Sequence, residues 1–459
     1  MSKFFCYAQD NESLLKSGSR AVNAIRVGGD KSVTHRALIL ASMARGVSSI
    51  VNPSLARDCM ATIAAFEKLG VVFEFSSGMK KLKVRSPGFE KYAKYQGVID
   101  CCNSGTSARL LMGLLAGLAG RVHFLTGDRS LSSRPMARVA EPLKKMGAEI
   151  LLFDGDRLPA AVAGRALSGI ECVNDRLSAQ VKTSLLIAGI MASGTVTVVE
   201  SIRTRDHFER IAPLFGVNII SRMTRRGNEV SVKGGAFPVP AKVTIPDDIS
   251  SASFYLVLDA LCSTVFGKNQ RVRLGGVLVN ETRDGLLRCL SECGYDICHS
   301  RKLRLGGEDA ADLGVAGRPA GVCEISPLKI DSRERVVSMI DEIALLALVL
   351  AHARGKSVIS HLSELRVKES DRLSLVAGEL NKIGARIRVR GDSLVIEGVK
   401  RLRGGCADSH GDHRLAMMLV IAGLLCEEDF ELDGCECVST SNPGFFEVLD
   451  SMGFRFSIQ

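Results

Sequence analysis

Lys31, Ser32, His35 and Arg36 follow the glycine pair Gly28-Gly29 and Asp30, and lead straight into the apolar run ALILASMA. A lysine and a serine after glycines suit a phosphate. The nucleotide-binding P-loop, however, needs G-x-x-x-x-G-K-[ST], and Asp30 stands where its last glycine would be. The chemistry indicated is anion binding, without a nucleotide signature.

The elements that must position such residues repeat along the chain. A phrase made of an amphipathic stretch, an apolar residue, a glycine and a β-rich run occurs six times, with its glycine at Gly70, Gly147, Gly216, Gly294, Gly384 and Gly453. Glycine suits the left-handed residue that ends a helix, and the alternating run after it suits a strand. Between these phrases lie SVTHRALILASMARG, TSARLLMGLLAGLAG, SAQVKTSLLIAGIMASG, SSASFYLVLDALCSTV, DEIALLALVLAHARG and DHRLAMMLVIAGLL. Each starts with residues able to cap a helix and is then apolar on nearly every side, which predicts six buried helices. If they pack in parallel within each group of three, their N-terminal ends gather on one face, where free N–H groups and helix dipoles favour anions. Lys31 and Ser32 would add charge-assisted hydrogen bonds to one such end.

Composition sets the frame. The 459 residues are 46% hydrophobic and 24% charged, as expected of a globular protein of two or three domains. Fourteen cysteines without a C-x-x-C pair, and no leader in MSKFFCYAQDNES, predict reduced thiols and a cytoplasmic protein. The longest apolar run, Leu415–Cys426, is too short for a membrane span. The net charge of +10 admits nucleic acid, anionic lipid or small acidic substrates. With 5% aromatic residues and no tryptophan, base-stacking platforms are disfavoured and small anions preferred. The expected break lies near residues 237–248, where prolines meet the midpoint of the repeat. The expected organisation is an N-terminal segment at 1–30 whose strand joins the C-terminal domain, an N-terminal domain at 31–242 and a C-terminal domain at 243–459, with ligand between the halves.

GDKSVTHR, NSGTSARLL (103–111), SSRPMARV (132–139), LSAQVKTSLL (177–186), RVKESDRL (366–373) and GDHRLAM (411–417) together resemble the 5-enolpyruvylshikimate-3-phosphate (EPSP) synthase family, from about Ala24 to Phe446. The resemblance implies an α/β fold of two inside-out domains, each of three βαβαββ repeats. It implies transfer of the enolpyruvyl group of phosphoenolpyruvate to the 5-hydroxyl of shikimate 3-phosphate, with release of phosphate, in the shikimate pathway. Such a transfer needs an acid for the methylene carbon and a base for the hydroxyl, each worth roughly 10²- to 10⁴-fold. By resemblance Asp341 is the base, and Glu369 the proton donor, sharing that duty with Lys31. The shikimate 3-phosphate residues implied are Lys31, Ser32, Arg36, Ser178, Ala179 through its backbone, Gln180, Arg205, Asp341 and Lys368. Those for phosphoenolpyruvate are Lys31, Gly105, Arg134, Gln180, Arg372 and Arg414, where guanidinium forks suit carboxylate and phosphate. Taken alone, Asp341 reads equally as an N-cap and Glu369 as half of a helical salt bridge.

The chain departs from family patterns at Thr440, where some members have lysine, at Ala179 within Ser178-Ala179-Gln180, and at Arg205, where others have tyrosine. The last two choices resemble a branch that includes naturally glyphosate-tolerant enzymes, although that branch often has alanine where this chain keeps Gly105. No metal and no cofactor are expected: His410 and His413 are the one close histidine pair and lack a third ligand. A monomer that binds neither nucleic acid nor membrane is expected. Two alternatives remain open from sequence: a UDP-N-acetylglucosamine enolpyruvyl transferase-like enzyme, and a basic nucleic-acid-binding repeat protein.

Overall fold

The computed structural model describes residues 2–17, 25–92, 94–267, 272–317 and 324–459. Residues 18–24 of the N-terminal segment, including Ala24, and Cys323 lie outside these. The chain forms two compact units. One comprises residues 28–246 with 304–308; the other comprises residues 1–27, 247–303 and 309–459.

Within the first unit, residues 97–163 show the repeat in full. Gly97–Asp100 pairs in parallel with Val122–Thr126, which pairs antiparallel with Arg157–Ala163, which in turn pairs antiparallel with Glu149–Phe153. The helices Gly105–Ala116 and Ala137–Lys145 connect them, giving βαβαββ. The crossover helix is needed because parallel neighbours cannot be joined by a tight turn. A second sheet, from Glu171–Val173 to Gly227–Lys233, has the same order. In the third, the parallel edge of Gly46–Val51 is Lys242–Thr244, taken from the far end of the unit. The second unit contains two further four-stranded sheets and one of three strands. One of them borrows from the chain's start: Lys3–Cys6 lies between Phe430–Asp433 and Ser457–Ile458, antiparallel to both.

The six apolar segments form the helices Lys31–Met43, Gly105–Ala116, Ala179–Met191, Ile249–Val265, Ile343–Leu350 and His413–Gly423. They are buried nearly throughout, as a helix that is apolar all round must be. The six repeat glycines all have positive φ, between 74° and 102°. In the first unit, Gln180 donates to Thr106 near both helix starts, and Ser184 donates to the Arg109 carbonyl about one turn further on, so these two helices run in parallel. In the second, Ser250, Glu342 and Arg414 meet at the beginnings of their helices. Each unit thus has a face where helix N-termini converge. Among the described residues no helix is long and apolar enough to cross a membrane, and the described cysteines are unpaired.

Candidate functional site

The glycine pair that opens the first buried helix has a steric reason. A Cβ on Gly29 would fall 1.9 Å from the Asn52 carbonyl oxygen, so only glycine fits. Asp30 caps this helix by accepting from the Val33 N–H, Ser104 caps the second through Ser107, and Ser178 the third through Val181. Cys102 and Leu177, just ahead of the second and third helices, take φ of 49°, an uncommon left-handed conformation that bends the chain into the helix.

Nine of the residues implicated by resemblance lie in this first unit, and all but Arg205 are linked through direct contacts or adjacent residues. Lys31 ion-pairs with Asp58 at 2.8 Å. The Asp58 carbonyl accepts from Ser107, two residues past Gly105. A Cβ on Gly105 would lie 3.1 Å from Arg109 Nη1 and 3.3 Å from Arg134 Nη1, so both guanidinium groups flank that glycine. Arg134 donates to Asn103 Oδ1 at 2.7 Å and to Ser130 Oγ at 3.1 Å. Arg109 donates to Gln180 Oε1 at 2.7 Å, and Gln180 donates to Thr106. Ser178 and Ala179 stand immediately before Gln180 as N-cap and first helical residue. Arg36 donates to the Ser32 carbonyl and to Thr183 Oγ1, one turn beyond Gln180. Burial lowers the Arg36 pKa to about 10, with Arg205 nearby adding repulsion. It stays a cation at neutral pH.

The other five residues form a second group, in the second unit. Asp341 sits in the turn before the fifth buried helix, whose N-cap is Glu342, so the N-cap reading of Asp341 does not hold. Its carboxylate is ringed by Lys368 Nζ at 3.5 Å, Arg414 Nη2 at 3.6 Å and Arg372 Nη1 at 3.8 Å. Arg372 is 1% exposed and donates twice to Asp412, at 2.9 and 3.0 Å, and once to Glu369 at 2.6 Å. Burial works against its charge, but Asp412, Glu369 and Asp341 outweigh that and hold its pKa above the ordinary value. Asp412 shows the converse: burial would raise its pKa, yet Arg372 brings it below the usual carboxylate value. Asp412 also caps the sixth buried helix through the Arg414 and Leu415 N–H groups, fixing the start of the segment that carries Arg414. Glu342 makes no side-chain cap of its own helix and accepts instead from Ser250 Oγ, while Arg414 Nη1 stands 3.7 Å away.

Sequence reasoning missed Arg109, Asp412, Asp58 and Glu342. Arg109 and Asp412 lie inside motifs already singled out, one helical turn after Gly105 and two residues before Arg414, and those spacings were the available signal. Thr440, the position of a family lysine, lies in a short 3-10 helix and is half-buried. Among the described residues, Asp206, His207 and Glu308 are a buried group of metal-ligand types. Their atoms are already engaged: Asp206 with Arg203 and Arg210, and Glu308 with His207 at 2.7 Å.

Set against known proteins, residues 15–449 match a model of the family described as EPSP synthase (3-phosphoshikimate 1-carboxyvinyltransferase). A 3-phosphoshikimate 1-carboxyvinyltransferase of Sulfurihydrogenibium sp. is 39% identical over 442 residues, 96% of this chain and 99% of that protein. The protein of the same name from Gloeobacter violaceus is 41% identical over 431 residues, 94% and 96% of the two chains. Among solved structures, the EPSP synthase of Acinetobacter baumannii superimposes with a TM-score of 0.83 at 32% identity, covering 100% of both chains.

Proposed function

The chain belongs to the EPSP synthase family, and we propose that both of its groups of residues hold that family's anionic substrates while the second, with Lys31, also moves the protons. The protein transfers the enolpyruvyl group of phosphoenolpyruvate to the 5-hydroxyl of shikimate 3-phosphate and releases phosphate, a step of the shikimate pathway to aromatic amino acids.

In the proposed assignment, Lys31, Ser32, Arg36, Ser178, the Ala179 backbone, Gln180, Arg205 and Lys368 hold shikimate 3-phosphate. Lys31, Arg134, Gln180, Arg372 and Arg414 hold phosphoenolpyruvate, with the Cβ-free Gly105 allowing close approach. Asp341 takes the proton of the 5-hydroxyl as its oxygen bonds to C2 of phosphoenolpyruvate. Glu369, with Lys31, delivers a proton to the C3 methylene, making a methyl group. In the second half a proton leaves that methyl as the C2–O bond to phosphate breaks, which restores the enol ether. The observation that carries this reading is the Asp341 carboxylate, ringed by three cations within 3.8 Å. Coulomb attraction from all three stabilises the anion that a base must be.

A phosphate-release assay with each substrate omitted in turn tests the reading: release must require both. We propose further that the enzyme works as a cytoplasmic monomer without metal, cofactor or nucleic acid. The arginine pairing of the Asp206–His207–Glu308 group supports the metal-free part. Dialysis against a strong chelator should leave turnover unchanged, light scattering should give the monomer mass of 49.3 kDa, and filter binding should retain no DNA or RNA at physiological salt.

A further inference from the structure

Glu200 ends the strand Thr195–Glu200 and is 0% exposed, in a place where the proposed chemistry gives it no role. A carboxylate so buried is costly unless its oxygens are paired and hydrogen-bonded. Glu200 is satisfied by four different segments of the first unit, the longest contact being from Asn228 Nδ2 to Oε2 at 3.5 Å. Its Oε1 accepts from Asn174 Nδ2 at 2.9 Å and from Thr204 Oγ1 at 2.5 Å. Its Oε2 accepts from Lys182 Nζ at 2.9 Å and from the Thr204 N–H at 3.3 Å. Lys182 is itself fully buried on the third buried helix and also pairs with Glu209.

Two of these partners sit beside residues assigned to shikimate 3-phosphate. Asn174 brackets the elbow before the third helix, donating to the Ser178 carbonyl and accepting from the Ser178 N–H. Thr204 precedes Arg205 in the irregular segment 201–206, and its side chain and N–H both fold that segment back onto the strand end. Leu177, next to Ser178, has φ of 49°, a conformation that needs outside contacts to hold it.

We propose that Glu200 is a positioning residue that sets Ser178 and Arg205 at the same time for shikimate 3-phosphate. The inference rests on the binding roles given above to those two residues. A buried ion pair such as Lys182–Glu200 adds little net stability, and its use here is geometric.

The test is a double-mutant cycle of Thr204→Val, which removes one hydroxyl donor at nearly constant volume, with Arg205→Ala. Thr204→Val should raise KM for shikimate 3-phosphate about 3- to 10-fold, less than the loss of a direct hydrogen bond to a charged group because Arg205 is misplaced rather than removed, while KM for phosphoenolpyruvate and kcat stay within about 2-fold. In the Arg205→Ala background, which alone raises the same KM, the effect of Thr204→Val should vanish. Asn174→Ala, on the Ser178 side, should show the same selective rise without depending on Arg205. If Thr204→Val changes KM for both substrates equally, or its effect simply adds to that of Arg205→Ala, the positioning role is overturned and the assignment of Arg205 stands. If Arg205→Ala leaves KM for shikimate 3-phosphate unchanged, the site assignment fails, and this inference with it.

Discussion

The two groups of cations are held in different ways. In the unit of residues 28–246, Arg36, Arg109 and Arg134 donate to carbonyl, amide and hydroxyl oxygens of Ser32, Thr183, Gln180, Pro135, Asn103 and Ser130. These acceptors are neutral, and they orient the guanidinium groups. In the other unit, Lys368, Arg372 and Arg414 lie against the carboxylates of Asp341, Glu342, Glu369 and Asp412. There positive and negative charges are interleaved. In the proposed assignment both groups hold anions, and the interleaved one also exchanges protons with them. Lys31, paired with Asp58, is the member of the first group that resembles the second, which fits its double assignment to binding and proton donation.

The largest effect should come from the proton-moving side. Asp341→Asn nearly preserves shape but removes the base. It should lower kcat by roughly 10²-fold or more while equilibrium binding of shikimate 3-phosphate changes only a few-fold. A variant with wild-type turnover would erase the distinction between the two groups. On the anion-binding side, Arg134→Ala removes a charge-assisted contact worth about 1.5–3 kcal/mol. KM for phosphoenolpyruvate should rise by about 10- to 100-fold, and that for shikimate 3-phosphate much less. Equal losses for both substrates would mean the subsites are assigned wrongly.

The unit of residues 28–246 also carries an acid liability. Burial lowers the pKa of His35, on the first buried helix, to about 3. The folded protein keeps the ring neutral, whereas the unfolded chain takes up its proton below about pH 6.5. Stability contributed by this group is therefore complete above pH 6.5 and is lost as pH falls towards 3, by up to about 1.4 kcal/mol per pH unit. Tm measured from pH 7 to pH 4.5 should fall, and His35→Asn, whose amide takes the place of the Nδ1 that meets Thr62, should flatten that slope. An unchanged slope would show that His35 is not what acid acts on.

Much of this was legible because the repeat writes the same physics six times. A glycine at each helix end has a positive φ, and an all-apolar segment must be buried, so both could be read without knowing any contact. What escaped depended on pairing distant in sequence. A strand near the start was expected to join the C-terminal domain, but nothing in KFFC names the strands at 430–433 and 457–458 as its neighbours, nor does KVT announce that it completes the sheet of residues 46–86. Arg109 reads as an ordinary helical arginine until Gln180 is seen to accept from it. Asp341 reads as a cap until the helix is seen to begin two residues later.

The smallest predicted effect bears on how much room the anion-binding side leaves. A methyl group added at Gly105 would meet Arg109 Nη1 at 3.1 Å and Arg134 Nη1 at 3.3 Å. Both are far ends of flexible side chains and can give by a few tenths of an ångström, so folding should be little disturbed. What must give, however, is the pair of guanidinium groups that flank the position, so the cost should appear in ligand binding. In Gly105→Ala, KM for phosphoenolpyruvate should rise by only a few-fold. Glyphosate, a longer analogue of that substrate, has more need of the space and should lose more, by an amount comparable to the roughly 1–3 kcal/mol of overpacking a tight site. Steady-state inhibition of both enzymes measures the two losses side by side. Equal losses for inhibitor and substrate, or none for either, would mean that Gly105 does not border the space that distinguishes them, and that Arg134 reaches its anion from another direction.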